Sequence, residues 1–225
     1  MNRSALRAAF AATIPVMTGY FCLGFAYGLL MSAKGYGVLW GFLMSALVYG
    51  GSIQYLAVTL LASAFDPLAA LLLSLMVNAR HVFYGLSMLK PYGAAGKLRY
   101  VLIPLLTDET FSIVSAMEVG ENVEKKDFFL WVSVLDYTYW VGATVVGSLF
   151  GRFLVFDTTG MEFALTALFV VLFMEQWKHR ENRLSGVVGI ACAAVSLGLF
   201  GAQSMVIPAM VLILAVLLAG RRKMA

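Results

Sequence analysis

The chain has 225 residues, 61% hydrophobic and only 12% charged, with 16 Lys and Arg against 12 Asp and Glu and a formal net charge of +4. A soluble domain carries about 25% charged residues, so this composition cannot cover a water-facing surface and excludes a water-soluble enzyme. The basic residues fall in small groups between apolar segments, which suits topology signals and argues against a nucleic-acid partner.

The first apolar segment, 9–33, follows Arg3 and Arg7 and exceeds the roughly 20 residues that cross a bilayer. It is too long for the core of a cleavable signal peptide. Gly19, Gly24 and Gly28 near its middle leave open whether it crosses fully. Span 38–63 lies inside the longest uncharged stretch, Gly35 to Phe65. Ser45, Tyr49, Ser52, Tyr55, Thr59 and Ser63 form one stripe along it at helical spacing. Gly50-Gly51 sits mid-span, where unwinding would expose backbone N–H groups able to hold a carboxylate. Such a break would also let Gln54, otherwise on the opposite side, face a cavity. Packing through small residues is the alternative.

Span 67–89 contains Asn78-Ala79-Arg80-His81-Val82-Phe83-Tyr84-Gly85. Ser74, Asn78, His81 and Gly85 share one helical stripe; Arg80, Tyr84 and Ser87 lie on another side. In segment 99–118, Pro104 interrupts the helical ladder, and Asp108 and Glu109 suit the first turn of a helix that restarts after it. Span 128–151 carries Asp136, with Tyr139, Trp140, Ala143 and Gly147 on its face, small enough for close helix approach. A segment at 157–177 and a helical hairpin at 184–220, split into 184–202 and 203–220, complete the chain.

These elements predict an all-α polytopic membrane protein of seven or eight transmembrane helices, forming one transport domain over 1–225. Interrupted helices are expected near Gly50-Gly51 and Pro104. With eight crossings both termini are cytoplasmic, although Lys90, Lys97 and Arg99 then break the positive-inside rule. Pro15, Leu39-Trp40, Asp66 and His81 recur in order as Pro104, Leu130-Trp131, Asp157 and His179, suggesting inverted repeats 9–90 and 98–180.

A charge at the bilayer centre costs at least about 2.5–3.5 kcal/mol. Arg80, His81, Asp108, Glu109 and Asp136 therefore point to a polar cavity. The plainer alternatives are snorkelling for Arg80 and His81, helix capping for Asp108 and Glu109, and a structural hydrogen bond for Asp136. His81 and His179 are far apart, Cys22 and Cys192 sit within apolar spans, and no phosphate-binding loop occurs, so neither metal nor cofactor is expected. Nor is an enzyme: no nucleophile can be placed beside His81 and Asp108.

The order Gly-Gly-Ser-Ile-Gln (50–54), Asn-Ala-Arg-His-Val-Phe-Tyr-Gly (78–85) and Thr-Asp-Glu-Thr-Phe (107–111) resembles the AzlC/YgaZ family over essentially the whole chain. The resemblance implies the large subunit of a bacterial branched-chain amino acid exporter in the cell membrane. Such a subunit works with a small hydrophobic AzlD/YgaH-type subunit, driven by the proton gradient. It carries over Gln54, Asn78, Arg80, His81, Asp108 and Glu109 as candidate positions. The residues themselves are compatible with an amino-acid substrate. Arg80 or the Gly50-Gly51 backbone could meet its carboxylate, and Asp108 or Glu109 its ammonium. Phe21, Phe25, Met44 or Tyr84 could meet its side chain, and Asp108, Glu109, Asp136 or His81 could titrate. A scaffold or regulatory membrane subunit, whose polar stripes only bind partner helices, is the competing expectation; an intramembrane enzyme is the weaker one.

Overall fold

A computed structural model describes residues 3–62, 67–78, 80–117, 123–153, 170, 173–174, 177 and 180–224. The regular structure among them is helical. In chain order the helices are α1 (Arg3–Ala33), α2 (Val38–Leu47), α3 (Gly51–Ala62), α4 (Pro67–Asn78), α5 (Arg80–Ala94), α6 (Arg99–Leu102), α7 (Asp108–Ala116), α8 (Lys125–Phe153), α9 (Arg180–Ser204) and α10 (Val206–Met224), with a 3₁₀ turn at Gly96–Leu98. They group into two units, residues 1–164 and 165–225. Three helices among the described residues, Arg3–Ala33, Lys125–Phe153 and Arg183–Gly201, are long and apolar enough to cross a membrane.

The first unit is organised around α1 and α8. Gly24 meets Ala143 and the Trp140 carbonyl, Gly28 meets the backbone of Thr144 and Ser148, and Gly151 meets Ser32. These pairings advance together along both helices, so α1 and α8 run parallel. Both contact faces repeat small residues every four positions, Gly24 and Gly28 on one, Ala143, Gly147 and Gly151 on the other. A Cβ on Gly28 would collide with the Thr144 carbonyl, and one on Gly147 with the Phe25 carbonyl. Gly24 and Gly28 thus serve backbone contact and do not interrupt α1, which also runs through Pro15 without a break. Toward the start of α8, Phe128, Phe129 and Val132 join Ala9, Met88, Tyr92, Leu102, Ile113 and Val114 in an apolar core.

Both expected interruptions are present. The first separates α2 from α3 at 48–50, where Tyr49 adopts φ 42°. The predicted stripe from Ser45 to Ser63 is therefore not one helical face. Ser45 donates back to the Gly41 carbonyl, while Tyr55 donates to the Leu23 carbonyl on α1. Ser63 and the Thr59 side chain lie outside the described residues. The second interruption, 103–107, follows α6, and Thr107 caps α7 by accepting the Thr110 N–H. Asp108 and Glu109 occupy the first turn, where carboxylates complement the helix dipole.

The breaks do not coincide under the offset of the suggested repeat. Residues aligned with the first lie inside continuous α8, and those aligned with the second inside continuous α1. Asp66, Asp157, His179 and most of segment 157–177 lie outside the described residues. In the second unit α9 and α10 pack on each other. The chain leaves helical geometry at Gly201, φ 73°. Leu184, Val187, Ile190, Leu199 and Phe200 are exposed, as on a helix facing lipid.

Gly147→Ala should destabilise the protein by about 1–3 kcal/mol, the cost of overpacking, because backbone occupies the space its Cβ needs. Gly142→Ala, with open space around it, should be neutral or slightly stabilising. Denaturant unfolding in detergent micelles measures both; equal effects would contradict the proposed packing.

Candidate functional site

The two helix breaks meet across a cavity of about 380 Å³. One side is formed by Val48, Tyr49, Gly50 and Ile53 at the first break, another by Ile103, Pro104 and Leu106 at the second. Ser74 and Asn78 of α4 and His81 of α5 close it. Three of the four residues of the predicted polar stripe thus share one wall. Gly85 does not: it lines a separate, mostly apolar cavity of about 470 Å³ with Val82, Leu86 and Leu89. His81 Nδ1 is buried without a hydrogen-bond partner among the described residues. The cavity therefore combines aliphatic surface with an amide, an imidazole and a hydroxyl.

Arg80 is not among the cavity-lining residues. Its Nη2 lies 2.7 Å from Asp108 Oδ2 and donates to Ser52 Oγ at 3.2 Å. This ion pair ties α5 to the first turn of α7 and the start of α3. Arg80 is thus matched by a carboxylate within the chain. Its Nε and Asp108 Oδ1 remain unpartnered among the described residues. Beside the pair, the Tyr84 ring stacks on Phe111 with centroids 4.5 Å apart.

Gln54 is 0% exposed and goes to α8: its Oε1 accepts Trp140 Nε1–H at 2.8 Å and the Gly50 N–H at 3.2 Å. One backbone donor at the break is therefore already satisfied, and Gln54 does not line the cavity. Gly51 lies under the same indole, which a Cβ there would press at 3.2 Å.

The remaining carboxylates sit in a hydroxyl network. Tyr20 of α1 donates to Glu109 Oε2 at 2.7 Å and lies 2.9 Å from Thr107 Oγ1. Thr107 Oγ1 is 3.1 Å from Thr110 Oγ1, and Thr110 donates to Asp136 Oδ2 at 2.7 Å. Asp136 is 0% exposed and its Oδ1 has no partner among the described residues. Glu109 is only partly covered. Tyr20 and Ser52 were absent from the sequence expectations for charge binding. No spacing rule marks a lone tyrosine on an apolar helix, whereas Thr107 and Thr110 flank the acidic pair and could have been included. Of the residues expected to hold an apolar side chain, Phe21 and Phe25 stack on each other, and Phe25 also packs on Phe150. Neither they nor Met44 nor Tyr84 line the cavity between the breaks. Among the described residues no group of His, Cys, Asp and Glu is disposed to hold a metal.

Residues 15–154 match the family model described as AzlC protein. The branched-chain amino acid transport protein AzlC of Bacillus subtilis is 42% identical over 95% of this chain and 84% of its own length. An uncharacterized membrane protein of Haemophilus influenzae is 38% identical over 92% of this chain and 85% of its own. The inner membrane protein YgaZ of Escherichia coli is 27% identical over 72% of this chain and 67% of its own. No solved structure matches.

The Arg80–Asp108 pair is about one-third and one-fifth exposed on its two sides, between the exposed and fully buried extremes. The double variant Arg80→Gln/Asp108→Asn should therefore cost less than the sum of the two single variants, by a coupling of about 1 kcal/mol. A double-mutant cycle in denaturant unfolding measures it, and strictly additive effects would contradict the pairing.

Proposed function

Because the chain belongs to the AzlC family, we propose that it exports branched-chain amino acids, namely valine, isoleucine and leucine, across the bacterial cell membrane. It does so as the large subunit of a two-component exporter, with a small hydrophobic subunit of the AzlD/YgaH type, and is driven by the proton gradient. The observation that carries this reading is the cavity between the two helix breaks. Interrupted helices around a mid-membrane site are the usual way transporters present backbone dipoles to a zwitterion. Ile53, Ile103 and Leu106 suit an aliphatic side chain, while Asn78 and His81 supply polar contacts for the amino-acid end. Arg80 and Asp108 act as a positioning pair that holds α5, α3 and α7 around the cavity. The reading involves transport without a chemical step on the substrate and without a cofactor.

Of the seven or eight crossings expected, eight complete the proposal, because only an even number leaves both termini cytoplasmic. The parallel course of α1 and α8 supports this count. If both cross, the chain must pass the membrane an odd number of times between them, and the three segments 38–62, 67–94 and 99–116 supply that number. A scaffold role for the polar stripes is less well supported: the best-formed polar groups face one another and a cavity inside the first unit.

Cells loaded with radiolabelled isoleucine should release it faster than empty-vector cells when both subunits are present, and an uncoupler should abolish the difference. Asp108→Asn should lower efflux at least about tenfold, the effect of roughly 1.4 kcal/mol, while the small subunit is still recovered with it. Efflux equal to empty-vector cells in every condition would end the proposal for this substrate. Altered partner recovery with unchanged efflux would favour the scaffold.

A further inference from the structure

We propose that Glu109 and Asp136 share one proton through the hydroxyl groups of Tyr20, Thr107 and Thr110. Four consecutive oxygen–oxygen separations, 2.7, 2.9, 3.1 and 2.7 Å, join the two carboxylates without a gap. Each hydroxyl supplies one proton and can accept another hydrogen bond. With both carboxylates ionised, Tyr20 donates to Glu109 and Thr110 to Asp136, and the single Thr107 proton can serve only one of its two hydroxyl neighbours. One link is then unmade. With one added proton every link is made, and all donors point the same way along the chain.

The transfer balances. Protonated Glu109 gives its proton to the Tyr20 oxygen as Tyr20 passes its own to Thr107, Thr107 to Thr110, and Thr110 to Asp136 Oδ2. Each oxygen that loses an O–H bond gains one, except the two termini, which exchange charge. Asp136 is 0% exposed, and Glu109 is partly covered with its Oε2 held by Tyr20. The route thus joins two carboxyls across α1, α7 and α8. The titratable and charged groups facing it are Asp108 on α7, matched by Arg80 of α5, and Tyr49 at the α2–α3 break. Tyr49 is within electrostatic range of both carboxylates and also lines the cavity between the breaks. It is therefore common to the surroundings of the relay and the lining of the cavity. Use of the relay for coupling rests on the export reading above; the sharing of the proton does not.

The test is an infrared titration of the intact protein in detergent, following the protonated-carboxyl band that Asp136→Asn removes. Tyr20→Phe and Thr107→Val should each move its midpoint by about one pH unit or more, the scale of interaction that defines coupled sites. Thr107→Ser should retain the wild-type midpoint. Tyr20→Phe keeps the edge contact of the ring with Trp140, so loss of the Thr107 cap in the other variant cannot hide the result. The same midpoint in wild type, Tyr20→Phe and Thr107→Val would overturn the proposal, as would the absence of any band lost in Asp136→Asn. Isoleucine efflux from wild-type cells, measured separately, tells a failure of the export reading from a failure of the relay.

Discussion

Backbone contact between α1 and α8 is the constraint on which the rest of the first unit depends. Gly24 and Gly28 meet Ala143, Thr144 and Ser148 so closely that a methyl group added at Gly28 would collide with backbone and one at Gly24 would be tightly crowded. In a lipid environment, where burial of apolar surface gives little preference for helix over lipid, such close packing is a main source of helix association. The register it sets places Tyr20 beside Trp140, with ring centroids 5.2 Å apart, and holds Asp136 on the same face of α8. Glu109, Asp136 and Gln54 are held against this pair through Tyr20, Thr110 and Trp140.

The short helices answer a different need. Breaking a helix at 48–50 and again at 103–107 frees backbone groups that lipid cannot satisfy. The chain meets part of this requirement from within, through Gln54 at Gly50 and Thr107 at Thr110. The charges follow the same logic: Arg80 faces Asp108, Glu109 accepts from Tyr20, and Asp136 accepts from Thr110. Among the buried groups without a partner in the described residues, His81 Nδ1 and the Tyr49 hydroxyl belong to residues that line the cavity, where a polar ligand can complete them.

Much of this was legible from residue types. Pro104 followed by Thr-Asp-Glu announced a helix restart with its cap, Gly50-Gly51 announced a break, and helical spacing put Ser74, Asn78 and His81 together. The cost of charge in lipid marked Arg80, Asp108, Glu109 and Asp136 as members of a polar site, whereas Arg80, expected to meet a substrate carboxylate, is met by Asp108. Other features were not legible because they depend on register between distant segments. Gly24 and Gly28 are ambiguous in sequence between a weak point and a contact surface; only the position of α8 decides. The stripe beginning at Ser45 assumed one continuous helix, and Tyr49 at positive φ divides it. Gln54 needed both the break and Trp140 to fix its direction, and nothing around Tyr20 distinguished it from an apolar packing residue.

The central claim is that the cavity between the two breaks is where the transported amino acid binds. It is tested most directly by placing a single cysteine at Asn78, in a background with Cys22 and Cys192 changed to Ser, and following its reaction with a small maleimide in membrane vesicles containing both subunits. Isoleucine should slow the labelling in a saturable manner, and an acidic amino acid such as glutamate should not. Labelling at the same rate with and without isoleucine, in vesicles shown to transport it, would contradict the account.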